Sequence, residues 1–181
     1  MAETTAVLIG RFQPYHFGHK HIVDQALDDF DYLVILLGSA NQPRSRRNPW
    51  TWTERASMII NCHPWDEWRI FIAPLDDNPN DEHWAAWAAG TASNKAPPGS
   101  EITIVGTRRG SEDYLEWFPQ FKQKIYDTGN FRSGTEIRND FLSIPGSFEA
   151  KVEHDVPTPT LIAMQQVLRG DQIEQLRRER P

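Results

Sequence analysis

The sequence predicts an α/β domain built on a parallel sheet. Apolar runs ending in glycine at 6–10, 32–38 and 101–106 have the look of buried strands. Between the first two lies a helical stretch with Ile22, Val23, Ala26, Leu27 and Phe30 at amphipathic spacing. The first 38 residues therefore read as strand, helix, strand, which implies a right-handed crossover and parallel pairing.

The remaining elements continue that alternation. Residues 39–50 form a polar, arginine-rich loop, and Thr53 is a plausible N-cap for a helix through about Cys62. A third strand is expected over 69–73, a loop over 76–81, and an alanine- and tryptophan-rich helix over 82–92. Residues 95–100 contain Pro and Gly and read as a turn before the strand at 101–106. Ser111 is expected to cap a short helix through Phe118, and Ile125-Tyr126 to mark a short fifth strand. Ser133 or Thr135 opens a helix through Leu142. A C-terminal helical segment begins at about 158, its helix spanning 160–180 with a break near Gly170. In such a sheet, ligands gather beyond the strand C-termini at the switch in strand order. The loops after Gly10, Gly38 and Gly106 should share that edge.

At 181 residues, with 39% hydrophobic and 24% charged, the chain suits one domain over 1–181 of ordinary globular composition. No apolar run approaches the ~20 residues of a membrane span, and the first residues lack signal-peptide character. The lone Cys62 cannot form an internal disulfide and reads as core, so a cytoplasmic location is expected. A net charge of −6 argues against a nucleic-acid-coating protein. The arginines are nevertheless clustered, at Arg44, Arg46 and Arg47 and again at Arg108 and Arg109, which suits a small anionic ligand.

The chemistry is expected in two segments. Gly10-Arg11-Phe12-Gln13-Pro14-Tyr15-His16-Phe17-Gly18-His19 leaves a buried strand and enters a helix. A helix start offers free N–H groups and the positive end of a dipole, so it attracts phosphate. Gly18 would let the backbone approach an anion, and His16 and His19 can donate to phosphate oxygens. Ser133-Gly134-Thr135-Glu136-Ile137-Arg138 also lies at a helix start, with Arg138 one turn beyond Thr135 on the same face. An ordinary N-cap would explain that segment alone; beside the first it reads as a second phosphate-binding element. No GxxxxGK[ST], GxGxxG or GxSxG occurs, which disfavours P-loop kinases, dinucleotide-fingerprint proteins and Ser hydrolases.

The GRFQPxHxGH opening joined to SGTEIR resembles the HxGH nucleotidyltransferase superfamily. Within it, the chain is similar to the nicotinamide mononucleotide adenylyltransferases of archaeal type and of the bacterial adenylyltransferase–Nudix proteins. Leu37-Gly38-Ser39-Ala40, Arg47-Asn48-Pro49-Trp50, Glu54-Arg55, Met58-Ile59, and the run from Asp113 to Gln120 extend the likeness over most of 6–142. No Nudix box follows, so the second activity of the fused proteins is expected to be missing.

The resemblance implies a Rossmann-like parallel sheet with helices on both faces, the nucleotidyltransferase fold. It implies ATP and nicotinamide mononucleotide (NMN) as substrates and NAD and pyrophosphate as products. No covalent enzyme intermediate is implied. Mg²⁺ would enter with ATP, held by phosphate and water rather than by dedicated protein ligands. His16 and His19 would hold the ATP phosphates, with His19 at the transferring group. Arg11, beside Gly10 and Phe12, would contact ATP or the NMN phosphate, and Arg47 would grip phosphates. Ser133, Thr135 and Arg138 would take the β- and γ-phosphates. Gly106 would admit adenine and Arg108 reach phosphate, although Thr107 and Gly110 depart from the family's GHRKD-like run. Asp76 and Trp84 would recognise and stack the nicotinamide, with Trp87 a competing stacking residue and Glu82 standing where relatives often carry Asn. The relatives imply a homo-oligomer, for which exposed tryptophans would suit an interface. Two alternatives stay open: a sister nucleotidyltransferase with another phosphorylated acceptor, and a non-catalytic NAD- or ATP-sensing module.

Overall fold

Elements follow the predicted alternation. In order they are β1 (Thr4–Gly10), α1 (Phe17–Asp29), β2 (Tyr32–Leu37), α2 (Trp52–Cys62), β3 (Ile70–Pro74), α3 (Asp81–Lys95), β4 (Glu101–Thr107), α4 (Glu112–Leu115), β5 (Lys122–Tyr126), α5 (Gly134–Ser143) and α6 (Thr158–Leu168). The computed structural model describes residues 2–107, 112–127, 129–143, 152–168, 175, 176 and 178. The expectations placed on Arg108, Arg109, Gly110, Ser111 and Gly170 lie outside the described residues.

The strands form one sheet in the order β3-β2-β1-β4-β5, with every neighbouring pair parallel. Alternation along the central strands sends side chains to both faces. Ala6 and Leu8 of β1, with Leu33, Ile35 and Leu37 of β2, pack with Ile22 and Val23 of α1, Met58 and Ile59 of α2, Phe141 of α5 and Met164 of α6. Val7, Ile9, Val34 and Leu36 face the other way, onto Ala85, Ala88 and Ala92 of α3 and onto Leu115 and Phe118. A face of alanines lets α3 lie close to the sheet. This is a Rossmann-like sheet with helices on both faces.

Local chemistry moves several predicted boundaries. The N-cap of α2 is Thr51, not Thr53: its hydroxyl accepts from the Glu54 N–H while the Glu54 carboxylate accepts from the Thr51 N–H, a reciprocal capping box. The third helix runs to Lys95, with Asn80 capping His83 N–H and with Asp81 and Glu82 at its positive end. The fourth strand ends at Thr107 rather than Gly106, and the fifth begins at Lys122. The helix expected to reach Phe118 stops at Leu115.

β1 sits between β2 and β4, so the chain turns to one side after β1 and to the other after β3. This is the switch point of an open α/β sheet, and the loops leaving β1 and β4 part there to leave a crevice. Among the described residues, no helix is long and apolar enough to cross a membrane.

Candidate active site

The loop leaving β1 is bent by Phe12, which takes φ +50°, a left-handed conformation uncommon for an aromatic residue. Its buried ring lies under Gly10, where an added Cβ would stand 3.0 Å from the ring. The chain then enters α1 with His16 as N-cap, its Nδ1 accepting from the Gly18 N–H at 3.1 Å. In a neutral imidazole that bond leaves the proton on Nε2, available to a ligand. Gly18 thus has a steric reason beside the one expected. Its N–H is occupied by His16, and a Cβ there would sit 2.9 Å from His16 Cε1.

His19 stacks on His16 with ring centroids 3.8 Å apart and leans on Phe12 at 4.6 Å. Burial, then the charge of Arg138, pushes His16 down to about 4. Burial also holds His19 well below the usual histidine range, with His16 adding to the effect and the Pro14 carbonyl opposing it. The pair is therefore neutral at pH 7. Nδ1 of His19 is buried without a hydrogen-bond partner.

Arginines converge on the same edge. Arg11 is lowered by burial and then by Arg47, with Asp77 opposing, and its Nη1 is buried without a partner. Arg138 is lowered to about 10 by burial, then by Arg11 and Arg47. It donates to the Gln13 carbonyl at 2.6 Å and to Thr135 Oγ1 at 3.0 Å, which joins α5 to the β1 loop. Arg47 is exposed, with its charge felt by both Arg11 and Arg138. Arg44 instead pairs with Glu54 and donates to the Pro49 carbonyl, bracing the 39–50 loop.

Two cavities open at this end. One, of about 280 Å³, is lined by His16, Gly18, His19, Thr107, Gly134 and Glu136 among others. Ser133 reaches its rim as the N-cap of α5, already bonded to Glu136. Gly106 is buried within β4 opposite Ile125. The other cavity, of about 320 Å³, is lined by Asp77, Asn78, Asp81, Trp84, Tyr114 and Trp117. Trp84 is held edge-on by Phe118 at 6.0 Å, whereas Trp87 is 63% exposed on α3. Asp76 is exposed; it is its neighbour Asp77 that lines the cavity. Asp77 accepts from Ser39 Oγ at 3.0 Å and exchanges backbone bonds with the Asn41 amide.

Sequence reasoning missed three residues that organise this edge. Gln13 is 2% exposed and exchanges both side-chain bonds with the Trp50 backbone, at 2.7 and 3.1 Å. Arg55, 1% exposed, donates to the carbonyls of Arg11, Gly38, Ser39 and Thr51, tying the ends of β1 and β2 together. Tyr15, fully buried, shares a 2.6 Å bond with His63 Nε2 beneath the histidine pair. A polar side chain inside an apolar helical face, as at Arg55, was the one legible signal. Replacing Arg55 with Met should lower stability by about 1–3 kcal/mol, because the buried carbonyls lose their donors. Urea unfolding checks this, and an unchanged midpoint would refute the clamp.

Comparison with known proteins extends the likeness far beyond these loops. Residues 7–139 match the cytidylyltransferase-like family. A nicotinamide-nucleotide adenylyltransferase of Methanosarcina barkeri is 29% identical over 165 residues, 91% of this chain and 89% of that one. The bifunctional NMN adenylyltransferase/ADP ribose pyrophosphatase of Francisella tularensis, solved with AMP and a manganese ion, superposes with a TM-score of 0.84 at 24% identity. That match covers 96% of this chain but spans only 52% of the Francisella protein. The nicotinamide-nucleotide adenylyltransferase of Archaeoglobus fulgidus is 38% identical over 146 residues, 76% of this chain and 79% of its own length. With the family match spanning 7–139 and identity at that level over most of both chains, the chain belongs to the cytidylyltransferase-like family, among its nicotinamide-nucleotide adenylyltransferases.

Proposed function

We propose that this protein joins ATP to NMN, giving NAD and pyrophosphate, by direct attack of an NMN phosphate oxygen on the α-phosphorus. One observation carries the proposal: Arg11, Arg47 and Arg138 repel one another at the sheet edge beside a neutral histidine pair. A polyphosphate relieves that repulsion and supplies acceptors for the clustered guanidinium groups. In the reaction a bond forms between the NMN oxygen and the α-phosphorus. The α–β bridge breaks, and pyrophosphate leaves with the bonding pair. Such a displacement needs alignment and charge stabilisation rather than a nucleophilic side chain.

His16 Nε2 and His19 would hold the triphosphate, with His19 at the transferring phosphoryl group. Arg11 and Arg47 would grip phosphates from the β1 and β2 sides. Thr135, Ser133 and Arg138 would receive the leaving pyrophosphate. The second cavity would take the pyridine ring: the Trp84 face attracts its positive charge by about 0.5–2 kcal/mol, and Asp77 and Asp81 add negative charge of complementary sign. Mg²⁺ would accompany ATP and offset its charge through phosphate and water contacts. Among the described residues, no group of three or more His, Cys, Asp or Glu side chains could hold a cation unaided.

The test is to incubate the protein with ATP, Mg²⁺ and either NMN or nicotinic acid mononucleotide, and to follow dinucleotide and pyrophosphate. NAD and pyrophosphate are expected in equal amounts. No dinucleotide from either acceptor would defeat the proposal.

A further inference from the structure

The cavity beside the histidine pair contains an anion belonging to the chain itself. Ser133 donates its N–H at 2.8 Å and its hydroxyl at 2.7 Å to the same oxygen, Oε2 of Glu136. The Glu136 N–H returns to Ser133 Oγ at 3.3 Å, which closes a capping box. Two donors at the start of α5, the N–H and the hydroxyl of Ser133, are therefore engaged by a carboxylate. Glu136 lines the cavity together with His16, Gly134 and His19, whose buried Nδ1 has no partner. Arg132, on the same wall, is held by Asp140 and Asp155. Ser133 keeps the Glu136 carboxyl below its usual range, so the group is charged at neutral pH.

We propose that Glu136 is a displaceable internal anion, which holds the α5 donors until the β,γ end of a polyphosphate takes them. It thereby favours ligands carrying enough phosphate to compete. The proposal rests on the reading of α5 as the pyrophosphate end of the site. Carboxylate and phosphate need the same N–H and O–H donors, and two anions side by side repel. Binding is therefore an exchange, and its free energy is a difference between two charge-assisted sets of hydrogen bonds. A monophosphate seated at the α-position does not reach α5 and does not meet the competitor. After the reaction, the returning carboxylate helps expel pyrophosphate.

The test uses Glu136→Gln, which keeps the side-chain length and an acceptor for Ser133 but removes the charge. Dissociation constants for inorganic pyrophosphate, ATP and AMP are measured by calorimetry on the wild type and on E136Q, with thermal melts showing that both are folded. Removing one charge within a few ångströms of the ligand, in water-rich surroundings, should tighten pyrophosphate and ATP by about tenfold while leaving AMP unchanged. Pyrophosphate binding that is unchanged, weaker or absent in E136Q overturns the proposal, as does equal tightening of AMP. Dinucleotide synthesis, measured in parallel, separates the two readings. Normal synthesis with unchanged pyrophosphate affinity sinks the Glu136 role alone. Tighter pyrophosphate with no synthesis sinks the proposed reaction alone.

Discussion

Replacing His19 with alanine is expected to lower turnover by at least about a hundredfold, because one well-placed donor at a developing negative charge contributes about 2.7–4 kcal/mol. The fold should survive. His19 Nδ1 has no hydrogen-bond partner, and the ring's contacts are to Phe12, Tyr15 and His16. Truncation removes packing and an interaction with the Pro14 carbonyl, a modest loss that the unfolding curve reads directly. Steady-state turnover with ATP and NMN, read beside a urea unfolding curve, checks both halves. A folded variant within about tenfold of wild-type turnover would remove His19 from the transferring group.

Arg138→Ala carries a double penalty. The charge that would receive the departing pyrophosphate disappears, and turnover should again fall by at least about a hundredfold. The geometry adds a cost to the fold. The 2.6 Å bond to the Gln13 carbonyl is buried and spans 125 residues, and its loss leaves that carbonyl unpaired, at about 1–3 kcal/mol. Arg138→Lys should recover little, since one ammonium cannot reproduce a planar fork directed at Gln13 and Thr135 together. The measurements are kcat/KM and the unfolding midpoint. Full stability in Arg138→Ala would contradict the structural bond, and full turnover would contradict the catalytic role.

The parallel sheet was legible because glycine-terminated apolar runs and one strong helical period point to the same arrangement. The two motif segments were legible because each crowds donors at a helix start. What escaped was the choice of partner, sometimes across the fold and sometimes within a single turn. Thr51 and Thr53 are both good caps, and only the partner at Glu54 decides between them. Asp76 and Asp77 differ only in which side chain meets Ser39, a residue 38 positions earlier. Gly18 shows the same limit: its place in the motif could be read, but its reason is a collision with the neighbouring His16 ring. Arg55 stands out as a charge on an apolar helix face, but the carbonyls of Arg11, Gly38 and Ser39 that it serves lie in other segments.

One contact sets the order in which the site can be completed. The N–H of Phe17, in the first turn of α1, donates to the carbonyl of Asp155 at 3.0 Å, and the Asp155 side chain holds Arg132. A chain growing from its N-terminus can pair β1, β2 and β3 early, since their crossovers are local. The start of α1 waits for a segment nearly 140 residues later. Contacts this distant in sequence form late, after the entropy of closing the intervening chain has been overcome. In a nascent chain the N-terminal strands would thus pair before the histidine loop was finished, and ligand-binding competence would come with the late closing of the core by Val152, Val156 and Met164.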